Sequence, residues 1–230
     1  MTRYDSHTSS RSTRDNVYQA LKEQIVNLKL APGTPLSENE TSVSFQVSRT
    51  PVRESFMKLA QEGLVQVLPQ RGTFVSLIDT ALVAEARFMR EQLECAVIKL
   101  ACEAITPDAL QRLETNLLLQ QDCVRREDED GMFRLDQEFH RLLFESCGKS
   151  NTWNAMSQLT VHLSRSRKLM LTDDHDWRHL YNQHREMIDC IKLHDADKAA
   201  SIMKSHISLN IVDQALLREK YPHYFTNESD

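Results

Sequence analysis

The sequence predicts a mainly α-helical protein in two parts, an N-terminal winged helix-turn-helix followed by an antiparallel α-helical bundle. Three observations carry this expectation. Residues 12–78 hold three short helical patterns and then an alternating stretch, "LVQVLPQRGTFVSL", that turns at Pro69–Gly72. From Asp79 onward six helical stretches follow, and none alternates as a strand does. At 230 residues the chain can bury a core for each part.

The first helix runs from about Thr13 to Lys29, with Val17, Leu21, Ile25 and Leu28 as its apolar stripe. "LAPGTPL" reads as a loop, because two prolines flank a glycine. A short helix covers about Glu38 to Phe45. The third helix opens in "VSRTPVRE", residues 47–54. Ser48 suits the N-cap, and Pro51 is tolerated because first-turn amides have no intrahelical partner. Val52, Phe56 and Leu59 face inward, and Gly63 ends the helix. Arg49 and Arg53 are spaced i,i+4, so they project from one face near the positive end of the helix dipole. Helix stability alone favours acidic side chains there. An anion outside the chain explains the arginines better, and in a winged helix this helix enters the DNA major groove, with Arg71 of the hairpin tip near the flanking groove or backbone.

The bundle stretches cover about 79–104, 107–127, 131–147, 151–171, 176–193 and 195–220, punctuated by Thr106-Pro107, Asp130-Gly131, Gly148 and Asp195. "REDED" at 126–130 reads as a solvated acidic turn. The expected organisation is a disordered segment 1–11, a DNA-binding domain 12–78, an all-helical domain 79–222 and a tail 223–230.

Composition narrows the classes. Residues 1–78 carry nine basic and seven acidic side chains, a net +2, which leaves −7 for the rest given −5 overall. A mildly basic head on an acidic body suits a nucleic-acid contact at the head. No stretch approaches the roughly 18 apolar residues of a membrane span, and the polar start has no secretory apolar core. Five cysteines without a C-x-x-C pair point to reduced thiols in a cytoplasmic protein.

The histidines carry the chemistry. Advancing about 100° per residue from Asp136 on its helix, His140 lies at about 40°, and Met132, Phe133, Phe139 and Leu143 all lie within about 60°. Arg134, Glu138, Arg141 and Glu145 occupy the opposite side. The same wheel puts His184 amid Trp177, Leu180, Tyr181, Met187, Ile188 and Ile191, and His206 among Ala199, Ile202, Met203 and Leu209. Three helices thus aim metal-capable side chains at the bundle centre. Burying them unpartnered costs several kcal/mol, and a shared divalent cation answers that cost. Zinc, nickel and manganese all accept one carboxylate and three imidazoles. His162 fails the test, having Gln158, Arg165 and Ser166 on its face. His175, His179 and His194 lie near helix ends or on outer faces.

"APGTPLSENE", "VSRTPVRE", "EGLV" and "PQRGTFV" resemble the winged-helix domain of GntR-type bacterial transcription regulators. "REQLE" at 90–94, "DQEFH" at 136–140, "QHREMIDCI" at 183–191 and "MKSH" at 203–206 resemble the FCD effector domain of the FadR subfamily. The resemblance implies DNA contacts from Ser48, Arg49, Thr50 and Arg53, with Arg71 and Gly72 at the wing tip. It implies a metal on Asp136, His140, His184 and His206, the four that the helical wheel selects. It also implies a small carboxylate effector (a sugar acid or similar) beside the metal and near Arg90, and a homodimer on a palindromic operator. The chain departs from the family pattern at Thr41-Ser42, where Leu-Ala is usual, and at Gln46, where glycine is usual at the turn.

The function this supports is a transcription regulator, a repressor in the first instance, responding to the effector. The competing expectations are a metal-dependent hydrolase or lyase using the Asp/His₃ site, and a structural DNA binder without effector. The first lacks a separate general base and leaves the DNA-binding head unexplained. The second leaves the buried cluster without a purpose.

Overall fold

Helix α1, Thr13–Val26, opens the fold and buries the predicted stripe Val17, Leu21 and Ile25 together with Tyr18. It packs on α3. A computed structural model describes residues 13–171, 177–208 and 210–226, so segment 1–11, His175 and Leu209 lie outside the described residues. The first helix ends three residues earlier than the sequence suggests. Leu28 takes a positive φ of 58° there, which breaks the helical ladder.

Helix α2 spans Glu38–Ser44 and α3 spans Arg49–Gln61. The Ser37 hydroxyl caps α2 by accepting from the Glu40 amide at 3.3 Å. Ser48 occupies the N-cap position of α3, but its side chain makes no capping bond, so its capping role is corrected. Gln46 sits in the turn between α2 and α3 with φ 55°. The position the family fills with glycine therefore needs the left-handed region, at a cost of about 1 kcal/mol for a side chain. Gly63, φ 72°, follows α3 as expected, and its amide bonds to Ala60 O at 3.1 Å.

The wing has three strands, not two. Strands β2, Val65–Leu68, and β3, Gly72–Val75, pair antiparallel from Val65 opposite Val75 to Leu68 opposite Gly72. Strand β1, Pro35–Leu36, adds to the other edge of β3 within the stretch expected to be loop. Two residues are too short for any alternation to register, and proline is compatible with an edge strand. The tip turns through Gln70 (φ 62°) and Gly72 (φ 109°), leaving Arg71 exposed.

The chain divides into two compact units between Ser76 and Leu77. In the second unit α4, Thr80–Ala104, is the longest helix, capped by the Asp79 carboxylate on the Ala81 and Leu82 amides. Helix α5, Pro107–Arg126, begins with the Thr106 cap and the first-turn proline. Helix α6, Glu129–Ser146, begins two residues before the expected start because Asp128 caps it through the Gly131 amide. The acidic turn thus serves as a cap. Helices α9, Trp177–Lys192, and α10, Ala196–Ser208, close around α4 with α11, Asn210–Lys220, after them. The stretch read as one helix over 195–220 is described as these two. Among the described residues no helix is long and apolar enough to cross a membrane, and the five cysteines are free thiols.

Two expectations are overturned. The stretch 151–171 is two helices, α7 (Ser150–Leu159) and α8 (Val161–Leu171), broken at Thr160. Helix α8 is buried around most of its circumference: Val161, His162, Leu163, Arg165, Arg167, Lys168 and Leu169 are all under 9% exposed. Of the polar residues read on one face with His162, Arg165 and Ser166 are interior like it, whereas Gln158 is exposed. The tail, expected from 223, begins as part of the fold. Phe225 is buried and Ile78, 0% exposed, exchanges backbone hydrogen bonds with Tyr224 O and the Thr226 amide at 2.8 and 3.0 Å. Burying the Phe225 ring outweighs ordering the few residues around it.

Candidate metal centre and DNA-reading face

Helices α6, α9 and α10 bring the four predicted ligands together. Asp136, His140 and His184 are 0% exposed and His206 is 3% exposed. One ligand atom from each lies within 4.8 Å of all the others. The Nε2 atoms of His140, His184 and His206 stand 3.9, 3.8 and 3.7 Å from Asp136 Oδ1, and the first and last are 3.2 Å apart. Phe139 stacks on His184 with ring centroids 4.1 Å apart, which fixes that ring's plane.

The remaining imidazole nitrogens all turn away from the centre, each toward a side-chain oxygen. His184 Nδ1 is 2.8 Å from Gln120 Oε1, His206 Nδ1 is 3.0 Å from Gln183 Oε1, and His140 Nδ1 is 2.5 Å from Glu94 Oε2. The Gln120 amide has only one workable orientation, because its Nε2 donates to Asn116 Oδ1 at 2.6 Å. A Gln oxygen bonded to Nδ1, as at His184 and His206, requires the proton there, so those two Nε2 atoms keep their lone pairs for the centre. Burial pushes the His184 imidazolium down to about 3, with Asp136 opposing and His140 reinforcing. Burial also lowers His206, helped by His184 and His140. Both rings are neutral at pH 7, the form that ligates a cation.

Among the buried atoms without a hydrogen-bond partner are Asp136 Oδ1 and His184 Nε2, which face the centre, and Glu94 Oε2 and His140 Nδ1, which face each other. Unsatisfied buried polar atoms are rare and costly. A cation among the four ligands satisfies the two that face the centre, so the residues fit the metal the family implies. Asp136 is ionised: burial raises its pKa, but the Arg167 guanidinium beside it leads the causes that outweigh this and hold it below the usual carboxylate range.

Arg167 of α8 was missing from the sequence reading. Its Nη2 donates to Asp136 Oδ2 at 2.7 Å. Arg90, expected near the effector, is buried on α4, and its Nε donates to Glu94 Oε1 at 2.5 Å. Burial works against its charge, yet Glu94 raises its pKa overall. Both arginines line a cleft of about 50 Å³ with Gln137, Ser157, Thr160 and Ser164. Among the described residues each guanidinium makes one side-chain hydrogen bond, and both line the cleft.

In the first unit Ser48, Arg49, Thr50 and Arg53 are exposed together at the start of α3, and Arg71 and Gly72 are exposed at the wing tip. Arg49 Nη2 donates to Asn39 Oδ1 at 2.8 Å. Arg53 donates through Nε and Nη2 to the two oxygens of Glu38, both at 2.9 Å.

A two-unit chain with a winged-helix head and a helical unit built on an Asp/His₃ cluster defines a class. The FCD domain pattern matches residues 85–209, and that of the bacterial regulatory proteins of the gntR family matches residues 13–75. The chain belongs to the GntR family of DNA-binding transcriptional regulators, with an FCD domain. It is 37% identical to an uncharacterised HTH-type transcriptional regulator in an unstable DNA locus of Streptomyces ambofaciens, over 97% of this chain and 94% of that one. It is 35% identical to the HTH-type transcriptional repressor RspR of Escherichia coli K12, over 92% and 93% of the two chains. The solved structure of E. coli McbR/YncC shares the fold, with a TM-score of 0.79 at 21% identity, over 92% of this chain and 100% of that one.

Proposed function

We propose that this regulator is a homodimeric repressor released from its operator by a small carboxylate, a sugar acid or similar, bound beside a divalent cation. The observation that carries the reading is the pair of orphaned buried atoms, Asp136 Oδ1 and His184 Nε2, next to a cleft lined by two arginines. A cation held by Asp136, His140, His184 and His206 would add a fixed positive charge at the cleft's inner end. Arg90 and Arg167 supply guanidinium donors matched to a carboxylate, and Ser157, Thr160 and Ser164 supply hydroxyls for a hydroxylated ligand. The repressor sense follows the name of the 35% identical relative.

At about 50 Å³ the cleft lies between the shares that one and two waters take in the liquid. A ligand of several carbons is admitted only by moving the walls, and α7 and α8 are two of them. Helix α8 also reaches the segment where the chain enters the helical unit, because His162 Nδ1 accepts from the Asp79 amide at 3.1 Å. Displacing α8 therefore acts on the connection to the DNA-binding head. A coupling of about 1–3 kcal/mol is typical for such a device.

Metal analysis by mass spectrometry, then a thermal-shift screen of sugar acids with and without chelator, tests the proposal. Hits are assayed for release of DNA and for turnover. Metal-dependent stabilisation, release and no product are expected. Turnover of the hit would favour the hydrolase or lyase reading.

Two further outcomes follow from the head. Arg49→Ala and Arg53→Ala are each expected to weaken operator binding by about 1–3 kcal/mol with unchanged melting, as exposed side chains that read bases do. Equal affinity of both variants and wild type in fluorescence anisotropy would remove α3 as the reader. One head covers only a short half-site, so paired heads gain effective concentration on a palindrome. Light scattering is expected to give twice the 26.6 kDa chain mass; a monomer with and without DNA refutes the dimer.

A further inference from the structure

We infer that Glu38 is a specificity-determining residue of the DNA-reading face: its carboxylate holds the Arg53 guanidinium so that one edge is left for a guanine. The inference rests on the reading of α3 as the helix that enters the groove. Glu38 is the first residue of α2 and lies 15 positions before Arg53 in the chain. Both carboxylate oxygens are engaged, one by Nε and one by Nη2, each at 2.9 Å. That parallel fork locks the guanidinium plane. It uses one edge of the five-donor group and leaves the Nη1/Nη2 edge, two donors side by side, which matches O6 and N7 of guanine.

Fold stability does not explain the pair. The Arg53 and Glu38 side chains are 65% and 31% exposed, and such surface ion pairs contribute little. A carboxylate on a face that meets phosphates is moreover an electrostatic handicap for binding DNA of any sequence. Its presence makes sense if it converts a mobile, phosphate-seeking arginine into one held for a base. The Arg53 hydrogen bonds hold Glu38 below the usual carboxylate range, so the holding group stays charged. Arg49 has a milder version of the same arrangement, with the neutral Asn39 amide oxygen at 2.8 Å. The opening turn of α2 thus arranges both arginines of α3.

The distinguishing signature is two effects of different sign. Glu38→Gln keeps the size of the side chain but offers one acceptor oxygen where two were used. Arg53 then loses its fixed plane, which weakens the specific complex. The lost negative charge at the same time favours binding to any duplex.

The experiment uses the full chain and a duplex that the wild type selects from a randomised pool, with a shuffled duplex of equal composition as reference, at one fixed salt concentration. Glu38→Gln is expected to bind the selected duplex about tenfold more weakly and the shuffled one no more weakly, so that discrimination falls by tenfold or more. Re-selection with the variant is expected to relax a guanine preference at one position of each half-site. Arg53→Ala, run alongside, is expected to weaken the selected duplex about tenfold as well. An unaffected Arg53→Ala sinks the reading of α3, and the inference with it. A weakened Arg53→Ala beside a Glu38→Gln of undiminished discrimination overturns the inference alone. So does equal weakening on both duplexes with a lowered melting temperature, which marks Glu38 as a structural residue of α2.

Discussion

His184→Ala is expected to lose nearly all bound metal and the response to effector, while still binding operator. The wild type should carry close to one cation per chain and the variant, after dialysis, less than about a tenth of that, because removing a direct donor should weaken affinity by at least the roughly 10–100-fold that losing a ligand's supporting hydrogen bond costs. Stability falls for two reasons. The stacking of His184 on Phe139 and its bond to Gln120 disappear, leaving a void in a buried centre. The stabilisation that a cation confers by binding only the folded state disappears too, about 3–4 kcal/mol at 100 to 1,000 times its dissociation constant. For a chain of this length that corresponds to a melting temperature lower by about 10 °C. The head belongs to a separate unit, so its affinity for DNA should survive at temperatures where the helical unit remains folded. Mass spectrometry for the metal, calorimetry for melting and anisotropy for DNA release read the three effects separately. Equal metal in both proteins would make His184 a core histidine and remove the four-ligand site.

Arg167→Ala has the next largest effect, and its sign depends on the metal. In the metal-free protein Arg167 is the one permanently charged cation hydrogen-bonded to Asp136 among the described residues. Its removal leaves a buried carboxylate facing neutral imidazoles, a change that costs about 3–5 kcal/mol in comparable buried pairs. A bound divalent cation replaces that counter-charge. The variant is therefore expected to be severely destabilised in chelator and much less so in saturating metal, a gap that wild type does not show to the same degree. Its intrinsic affinity for the cation should not fall, because a positive neighbour has been taken away. Response to the carboxylate effector should still be lost, since half of the cleft's guanidinium pair is missing. Denaturation by urea with and without metal measures the gap. If the variant is destabilised equally in both conditions, Asp136 is not a ligand whose charge the cation neutralises.

The site was legible in the sequence wherever one helix alone decides the geometry. Asp136 and His140 sit four residues apart, and their place amid Met132, Phe133, Phe139 and Leu143 follows from the helical period without knowing any neighbour. The same holds for His184 and His206. A polar side chain at the middle of an apolar face has few explanations, and four on three helices have fewer. The reading face was legible for a similar reason: proline in the first turn and arginines at i,i+4 are local grammar.

Periodicity fails where a helix has neighbours on every side. Helix α8 reads as polar, yet His162, Arg165, Arg167 and Lys168 are buried. No single-helix rule places Arg167 on Asp136, because the contact depends on how α8 crosses α6. Glu94, Gln120 and Gln183 likewise come from three different helices, α4, α5 and α9, and only the tertiary fold brings each to the outer nitrogen of a histidine. Glu38 and Arg53 are 15 residues apart on separate helices, joined by a turn whose angle depends on the positive φ of Gln46.

The sequence by itself thus determined the fold class, the placing of Asp136, His140, His184 and His206 on apolar helix faces and the shared exposed face of Arg49 and Arg53, because each depends on spacing along one helix. Tertiary structure alone decided the neutral state of His184 and His206, the counter-charge of Asp136, the walls of the cleft and the orientation of Arg53. Those depend on distances between helices, and a few ångströms between two helix axes leave no trace in the order of residues along either.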